Sequence, residues 1–206
     1  MSTSTAIAAF SEEGAALAAA ELTACGVMAD DSTSAFQAGQ TGLIVRIPEA
    51  EPAVRGWREQ LDPSAQAGVP AHVTVLFPFL DESRIDALVH SALAEVLGSR
   101  PAFDLRFERC GRFPGVLCLV PEPDTQLRQL TQAIADRWPE APPYGGRFDE
   151  IVPHLTIAQG QEDTVLEEIE ADLAARLPFT SRISSVELIV HDGTKWQERA
   201  SFVLGE

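Results

Sequence analysis

Histidine is the side chain whose ordinary pKa lets it both take and give a proton near neutral pH. Two of the four histidines in this 206-residue chain stand in the same setting. Pro70-Ala71-His72-Val73-Thr74-Val75 and Val152-Pro153-His154-Leu155-Thr156-Ile157 both read histidine, apolar, threonine, apolar. Successive side chains on a β-strand point to opposite faces, so His72 and Thr74 share one face while Val73 and Val75 turn to the other. The same holds for His154 and Thr156. Two such faces set opposite each other would hold a phosphate between two acid–base groups and two hydroxyl donors. Opening a phosphodiester uses that set: a base for the proton of the attacking water, an acid for the departing oxygen, and oriented donors for the charge that grows on the phosphoryl oxygens. Threonine fits the donor role because a β-branched side chain on a strand has few rotamers to lose.

The elements that must position these groups are themselves repeated. Gly42-Leu-Ile-Val-Arg-Ile-Pro48-Glu aligns with Gly115-Val-Leu-Cys-Leu-Val-Pro121-Glu as glycine, apolar strand and Pro-Glu. A helix follows each, at about Pro52–Leu61 and Thr125–Trp138, then a loop into the His-x-Thr strand, then a second helix at about Ser83–Leu97 and Glu162–Leu177. The second copy carries extra residues before its histidine, around Pro142–Arg147. Further strand-like runs follow each unit: Phe103–Phe107 after the first, and Thr180–Val190 with Ala200–Leu204 after the second. Asp192-Gly193 is placed as a hairpin turn. The pattern predicts an α+β protein of two duplicated strand–helix lobes about a pseudo-twofold axis. Two mostly antiparallel sheets would flank a central cleft, with helices outside.

These motifs resemble the two-histidine (2H) phosphoesterase superfamily, in particular the bacterial proteins named for 2′-5′ RNA ligase. The resemblance spans about Gly42 to Glu206 and rests on the paired His-x-Thr sequences and the strand–helix unit before each. It implies a bilobal fold, metal-free chemistry without a cofactor on 2′,3′-cyclic phosphates or 2′-5′ phosphodiesters, and His72, Thr74, His154 and Thr156 as the catalytic set. The reading that follows is a metal-independent hydrolase acting on the 2′,3′-cyclic phosphate of an RNA end or nucleotide. The alternatives are a 2′-5′ RNA ligase or 2′-5′ phosphodiesterase, since the same geometry run backwards joins a 2′-hydroxyl to a cyclic phosphate, and a nucleotide-binding module with little turnover. Near symmetry leaves the division of acid and base open, with a leaning to His154 as base and His72 as acid.

Other residues are candidates for holding substrate. Arg46 interrupts the first apolar strand where Leu119 stands in the repeat, and could meet phosphate. Phe113 and Tyr144, beside proline and glycine in rim-like loops, could stack on a base. Arg109, Arg112 and Arg147 lie in loop-like stretches. Phe77 is expected in the core, and His90 and His191 are expected to be structural or exposed.

Composition narrows the partners. With 31 acidic against 15 basic residues the net charge is −16, which argues against an extended nucleic-acid surface and for a small phosphorylated nucleotide or an RNA end. Cys25, Cys110 and Cys118 are odd in number and lack C-x-x-C spacing, so they read as reduced thiols rather than a disulfide frame or a zinc site. No stretch is long and apolar enough to span a membrane, and Glu12 and Glu13 make the amino end a poor signal peptide. A cytoplasmic monomer is the expectation. Residues 1–41 hold five acids and no base, and read as an alanine-rich extension in which Ser11 could cap a helix ending near Gly26. Residues 42–206 form the bilobal domain.

Overall fold

Runs of β-branched and leucine residues bounded by proline and glycine set the strands, and 3.6-residue apolar spacing sets the helices. The computed structural model describes residues 36–148 and 150–205; the expected helix within residues 11–26 and Cys25 lie outside them. In chain order the elements are β1 (Thr41–Arg46), α1 (Glu51–Leu61), α2 (Pro63–Gln66), β2 (His72–Leu76), α3 (Ala87–Gly98), β3 (Phe103–Phe113), β4 (Val116–Glu122), α4 (Thr125–Arg137), β5 (Leu155–Gln159), α5 (Asp163–Ala174), β6 (Phe179–Ile183), β7 (Ser185–His191) and β8 (Trp196–Val203).

They build two four-stranded sheets, ordered β2-β1-β7-β8 and β5-β4-β3-β6, with every pairing antiparallel. The two His-x-Thr strands are therefore sheet edges, and β2 and β5 meet across the middle of the molecule. Val73, Val75, Leu155 and Ile157 enter one continuous core with Val54 of α1, Leu93 of α3, Leu130 of α4 and Ile169 of α5. The opposite faces carry smaller apolar clusters, Phe36, Ile44, Val69, Ile189 and Trp196 on the first sheet and Phe113, Val116 and Cys118 on the second.

The helices are exchanged between the halves. Helix α1 packs on β5 and α4 packs on β2, so each helix lies against the His-x-Thr strand of the other unit. Each also makes a hydrogen bond there. Arg58 Nε donates to the Thr156 carbonyl at 3.1 Å, and Thr131 Oγ1 donates to the Val75 carbonyl at 2.6 Å. Arg58 is buried, and its charge is met by the equally buried Asp62 one turn on, at 2.8 Å. Asp62 also caps α2, accepting from the Ser64 amide at 2.9 Å, with Pro63 preset for the first helical position.

Four sequence expectations change. The run Thr180–Val190 is not one strand: it breaks at Ser184 into β6 and β7, which belong to different sheets. Likewise β3, which follows the first unit, pairs with β4 of the second, so the lobes exchange strands as well as helices. The expected helix Ser83–Leu97 divides into a 3₁₀ turn, Glu82–Arg84, and α3, because Asp86 accepts from the amides of Leu88 and Val89 and starts the helix anew. Finally, the repeat is displaced by one residue. Ile44 pairs with Thr74 and Cys118 with Thr156, so Arg46 corresponds to Val120 rather than Leu119. Both strands carry a register shift at the same place, Leu43/Ile44 and Leu117/Cys118. A one-residue shift moves a side chain to the other face, which decides where Arg46 points. The predicted Asp192-Gly193 turn joins β7 to β8, with Gly193 at φ +99° where a side chain would be strained.

Removing the charge partner of Arg58 and removing the Thr131 hydroxyl test these ties. Asp62→Ala is expected to cost about 3–5 kcal/mol, the cost of a buried charge left alone. Thr131→Val, similar in shape, is expected to cost about 1–2 kcal/mol for the abandoned carbonyl. Urea unfolding of both variants checks the order; equal losses would remove Arg58 from its place as the main tie.

Candidate active site

Edge strands suit catalytic side chains because one flank is free of a partner strand and their outward face borders the cleft. On β2 the alternation is as the sequence requires: Val73 and Val75 are buried, and His72 and Thr74 are half-buried on the other side. His154 and Thr156 repeat this around Leu155 and Ile157 at β5.

Both imidazoles are held in the same way. Nδ1 of His72 lies 2.8 Å from the Pro70 carbonyl, and Nδ1 of His154 lies 2.8 Å from the Val152 carbonyl. A carbonyl only accepts, so Nδ1 carries the hydrogen in each ring and Nε2 is the nitrogen that changes its protonation state toward a ligand. The loops that supply these carbonyls are tied by arginines of the preceding helices. Arg58 Nη1 donates to the Val69 carbonyl at 3.4 Å, and Arg128 Nη1 donates to the Ile151 carbonyl. Both anchors fall three residues before the histidine. On the first side the Glu51 carboxylate also accepts from the Ala71 amide at 2.7 Å.

The electrostatics of the two rings differ. Burial, then the nearby Arg58 charge, lowers the His72 pKa from 6.5 to about 4. The Pro70 hydrogen bond and Asp62 act in the opposite direction without overcoming them, and His154 is close enough to add a small lowering of its own. His72 is therefore neutral at neutral pH. The ring of His154 meets that of Phe113 edge-on, with centroids 5.1 Å apart.

The remaining candidates fall in distinct places. Arg46 stands directly opposite His72 on the neighbouring strand, on the cleft face, and pairs with Glu198 at 3.2 Å. Phe113 is buried in the cleft-side cluster beside His154. Tyr144 lies in the insertion of the second unit, at φ +50°, and its amide donates to the Phe77 carbonyl at 2.7 Å just past β2. The insertion thus reaches back to the first half. Phe77 is half-buried against Trp196 on the cleft side rather than in the main core. Arg109 pairs with Glu122 and Arg112 with Glu170, while Arg147 is exposed. His191 is buried, taking the Gly193 amide on Nδ1, and His90 is exposed beside Phe202.

A cavity of about 640 Å³ opens beside the His154 loop, lined by Arg106, Arg109, Arg128, Val120, Val152 and Pro153 with Glu122, Asp124 and Glu150 among them. It carries both signs of charge. Among the described residues no three histidine, cysteine, aspartate or glutamate side chains are grouped to hold a metal ion, and no helix is long and apolar enough to cross a membrane.

Arg58 is the residue that sequence reasoning passes over. Its spacing to Asp62 is the i,i+4 pattern of an ordinary exposed helix pair, and the Asp62-Pro63-Ser64 cap is the only local sign that the helix end is buried.

The arrangement recurs in known proteins. The family model of the 2′-5′ RNA ligase superfamily matches residues 47–195. Among solved structures, Escherichia coli LigT complexed with 3′-AMP superposes with a TM-score of 0.55 at 18% identity, covering 82% of this chain and 100% of that one. The same protein complexed with NADP+ gives 0.53 at 20% identity over 83% and 100%. TT0787 of Thermus thermophilus gives 0.53 at 18% identity over 81% and 99%. No curated protein matches the sequence.

The lowered pKa of His72 has a consequence for stability. Between about pH 6.5 and 4 the unfolded chain binds a proton at His72 that the folded chain does not. Stability from this group is therefore complete above pH 6.5, falls as the pH drops through that window, and falls no further below about 4. Urea midpoints across the window should fall less steeply in His72→Gln than in the wild type; parallel slopes would contradict the assignment.

Proposed function

The chain belongs to the 2′-5′ RNA ligase superfamily, and on that premise we propose that it hydrolyses the 2′,3′-cyclic phosphate of a nucleotide or RNA end without a metal. The observation that carries this reading is the matched pair of histidines on facing strand edges, each with Nδ1 committed to a backbone carbonyl, which makes Nε2 the nitrogen that can exchange a proton. Thr74 and Thr156 stand on the same faces, where their hydroxyls can donate to the phosphoryl oxygens.

The lowered pKa of His72 favours the division of labour opposite to the leaning from sequence. A ring kept neutral by burial and by Arg58 has no proton to give at neutral pH and keeps its Nε2 lone pair available, so His72 Nε2 takes the proton of the attacking water. Water oxygen bonds to phosphorus, the bond to one ribose oxygen breaks, and His154 Nε2, protonated, gives that oxygen its proton. The two rings finish with exchanged protonation states and reset through solvent. Because they sense each other, the pair titrates together.

Small nucleotides are the favoured substrates. The related LigT structures hold 3′-AMP and NADP+, and a net charge of −16 gives long RNA little to bind. The ligase direction gains no comparable support from this surface.

Turnover of the four nucleoside 2′,3′-cyclic phosphates in excess EDTA tests the reading. His72→Ala and His154→Ala should each lose about 10²–10⁴-fold in kcat, and Thr74→Val and Thr156→Val about 10²-fold. No turnover by folded wild type, or activity surviving in either histidine variant, would overturn it. The pH profile of kcat/KM tests the roles: with His72 as base, its acid limb should lie near pH 4 rather than 6.5. A limb near 6.5 would return the base to His154.

A further inference from the structure

The cleft face of the first sheet holds a carboxylate that neither the core nor the acid–base chemistry uses. Glu187 lies on β7 directly opposite Ile44, and Ile44 lies opposite Thr74. Residues opposite each other in antiparallel strands share a face, so Thr74, Ile44 and Glu187 form one row across the sheet. Glu187 is only 6% exposed. Its Oε1 accepts from the Ser185 hydroxyl at 2.6 Å, while Oε2 is buried and meets no donor among the described residues. The nearby Arg46 is paired with Glu198 instead.

Glu187 lines a cavity of about 180 Å³, together with Ile44, Arg46, Pro70, Trp196 and Glu198. Two of these walls adjoin the catalytic strand: Arg46 is the pairing partner of His72, and Pro70 supplies the carbonyl that holds its Nδ1. The row from Thr74 to Glu187 spans two strand spacings, about 10 Å, which is the reach of a nucleoside from its phosphate to the far edge of its base. Trp196 and Ile44 line the cavity with apolar side chains, and Oε2 offers an acceptor that no described residue satisfies.

We propose that this cavity receives the nucleobase and that Glu187 Oε2 accepts a hydrogen bond from its exocyclic amino group, so that adenine, cytosine or guanine is preferred over uracil. The inference rests on the cyclic-phosphate reading, which sets the phosphate at the two histidines. Uracil presents its O4 carbonyl where cytosine presents its 4-amino group, so it sets lone pairs against a carboxylate at that position, its nearest donor being the N3–H one atom along the ring. A site with a buried acceptor rejects a ligand that cannot supply its donor more strongly than an apolar pocket rejects a change of size.

Calorimetric titration of the full chain with cytidine and uridine 3′-monophosphates tests this directly, alongside turnover of the two matching cyclic phosphates. Wild type should bind the cytidine nucleotide at least about tenfold more tightly. Glu187→Gln, which can offer a donor as well as an acceptor, should bring the two within about threefold. Ser185→Ala, which leaves the carboxylate in place, should keep the preference. Equal binding by wild type, binding of neither nucleotide, or an undiminished preference in folded Glu187→Gln would each overturn the proposal. A Glu187-dependent preference without turnover would support this pocket while removing the hydrolase reading. Turnover of both substrates with no preference would do the reverse.

Discussion

The buried Arg58–Asp62 pair is the interaction on which the site depends. Its guanidinium reaches three things that must keep their relative positions: the Thr156 carbonyl on the second His-x-Thr strand, the Val69 carbonyl on the approach to His72, and the Ser64 hydroxyl at 3.3 Å on the turn between. One charged side chain thereby couples both strands that border the cleft. A buried cation is tolerable only with a partner and satisfied hydrogens, and Asp62 supplies the first while the two carbonyls and Ser64 share the second. Trp57 beside it donates to Asp172 of α5 at 3.0 Å, adding a second tie between α1 and the other half.

The same arginine breaks a symmetry that the backbone otherwise respects. Helix α1 on β5 mirrors α4 on β2, and the two imidazoles are held through Nδ1 at the same distance. The groups making the matching ties are different, a buried cation in one half and the neutral Thr131 hydroxyl in the other. Burial, and after it the Arg58 charge, lowers the proton affinity of His72, whereas the ring of His154 packs edge-on with that of Phe113. Two histidines with identical geometry and identical surroundings would be interchangeable in acid–base work, and the surroundings of these two differ.

Exchange of strands and helices has a mechanical effect as well. Because β7 and β8 return to the sheet of β1 and β2, the first sheet closes only after the strands of the second, β3 to β6, have been passed in the chain. The core is continuous from Leu43 and Val73 to Leu119 and Ile157, so the cleft is a groove on one body and the two His-x-Thr faces are held against a shared interior.

What the sequence by itself determined is local. Alternation placed His72, Thr74, His154 and Thr156 on solvent-side faces. Apolar spacing bounded α4 to within a residue, and Asp192-Gly193 marked the turn into β8. These features depend on neighbours a few positions apart. Tertiary structure decided the rest. The strand run through Ser184 carries no signal for the sheet each half will join, since a continuous apolar stretch fits either. The one-residue displacement of the repeat lies in uniformly buried strands, where no alternation exists to mark the face. Arg58 and Glu187 look like surface charges until distant strands close over them, because burial is a property of packing and leaves no imprint on local spacing. Proton affinity follows burial, so the lowered pKa of His72 is visible only in the fold.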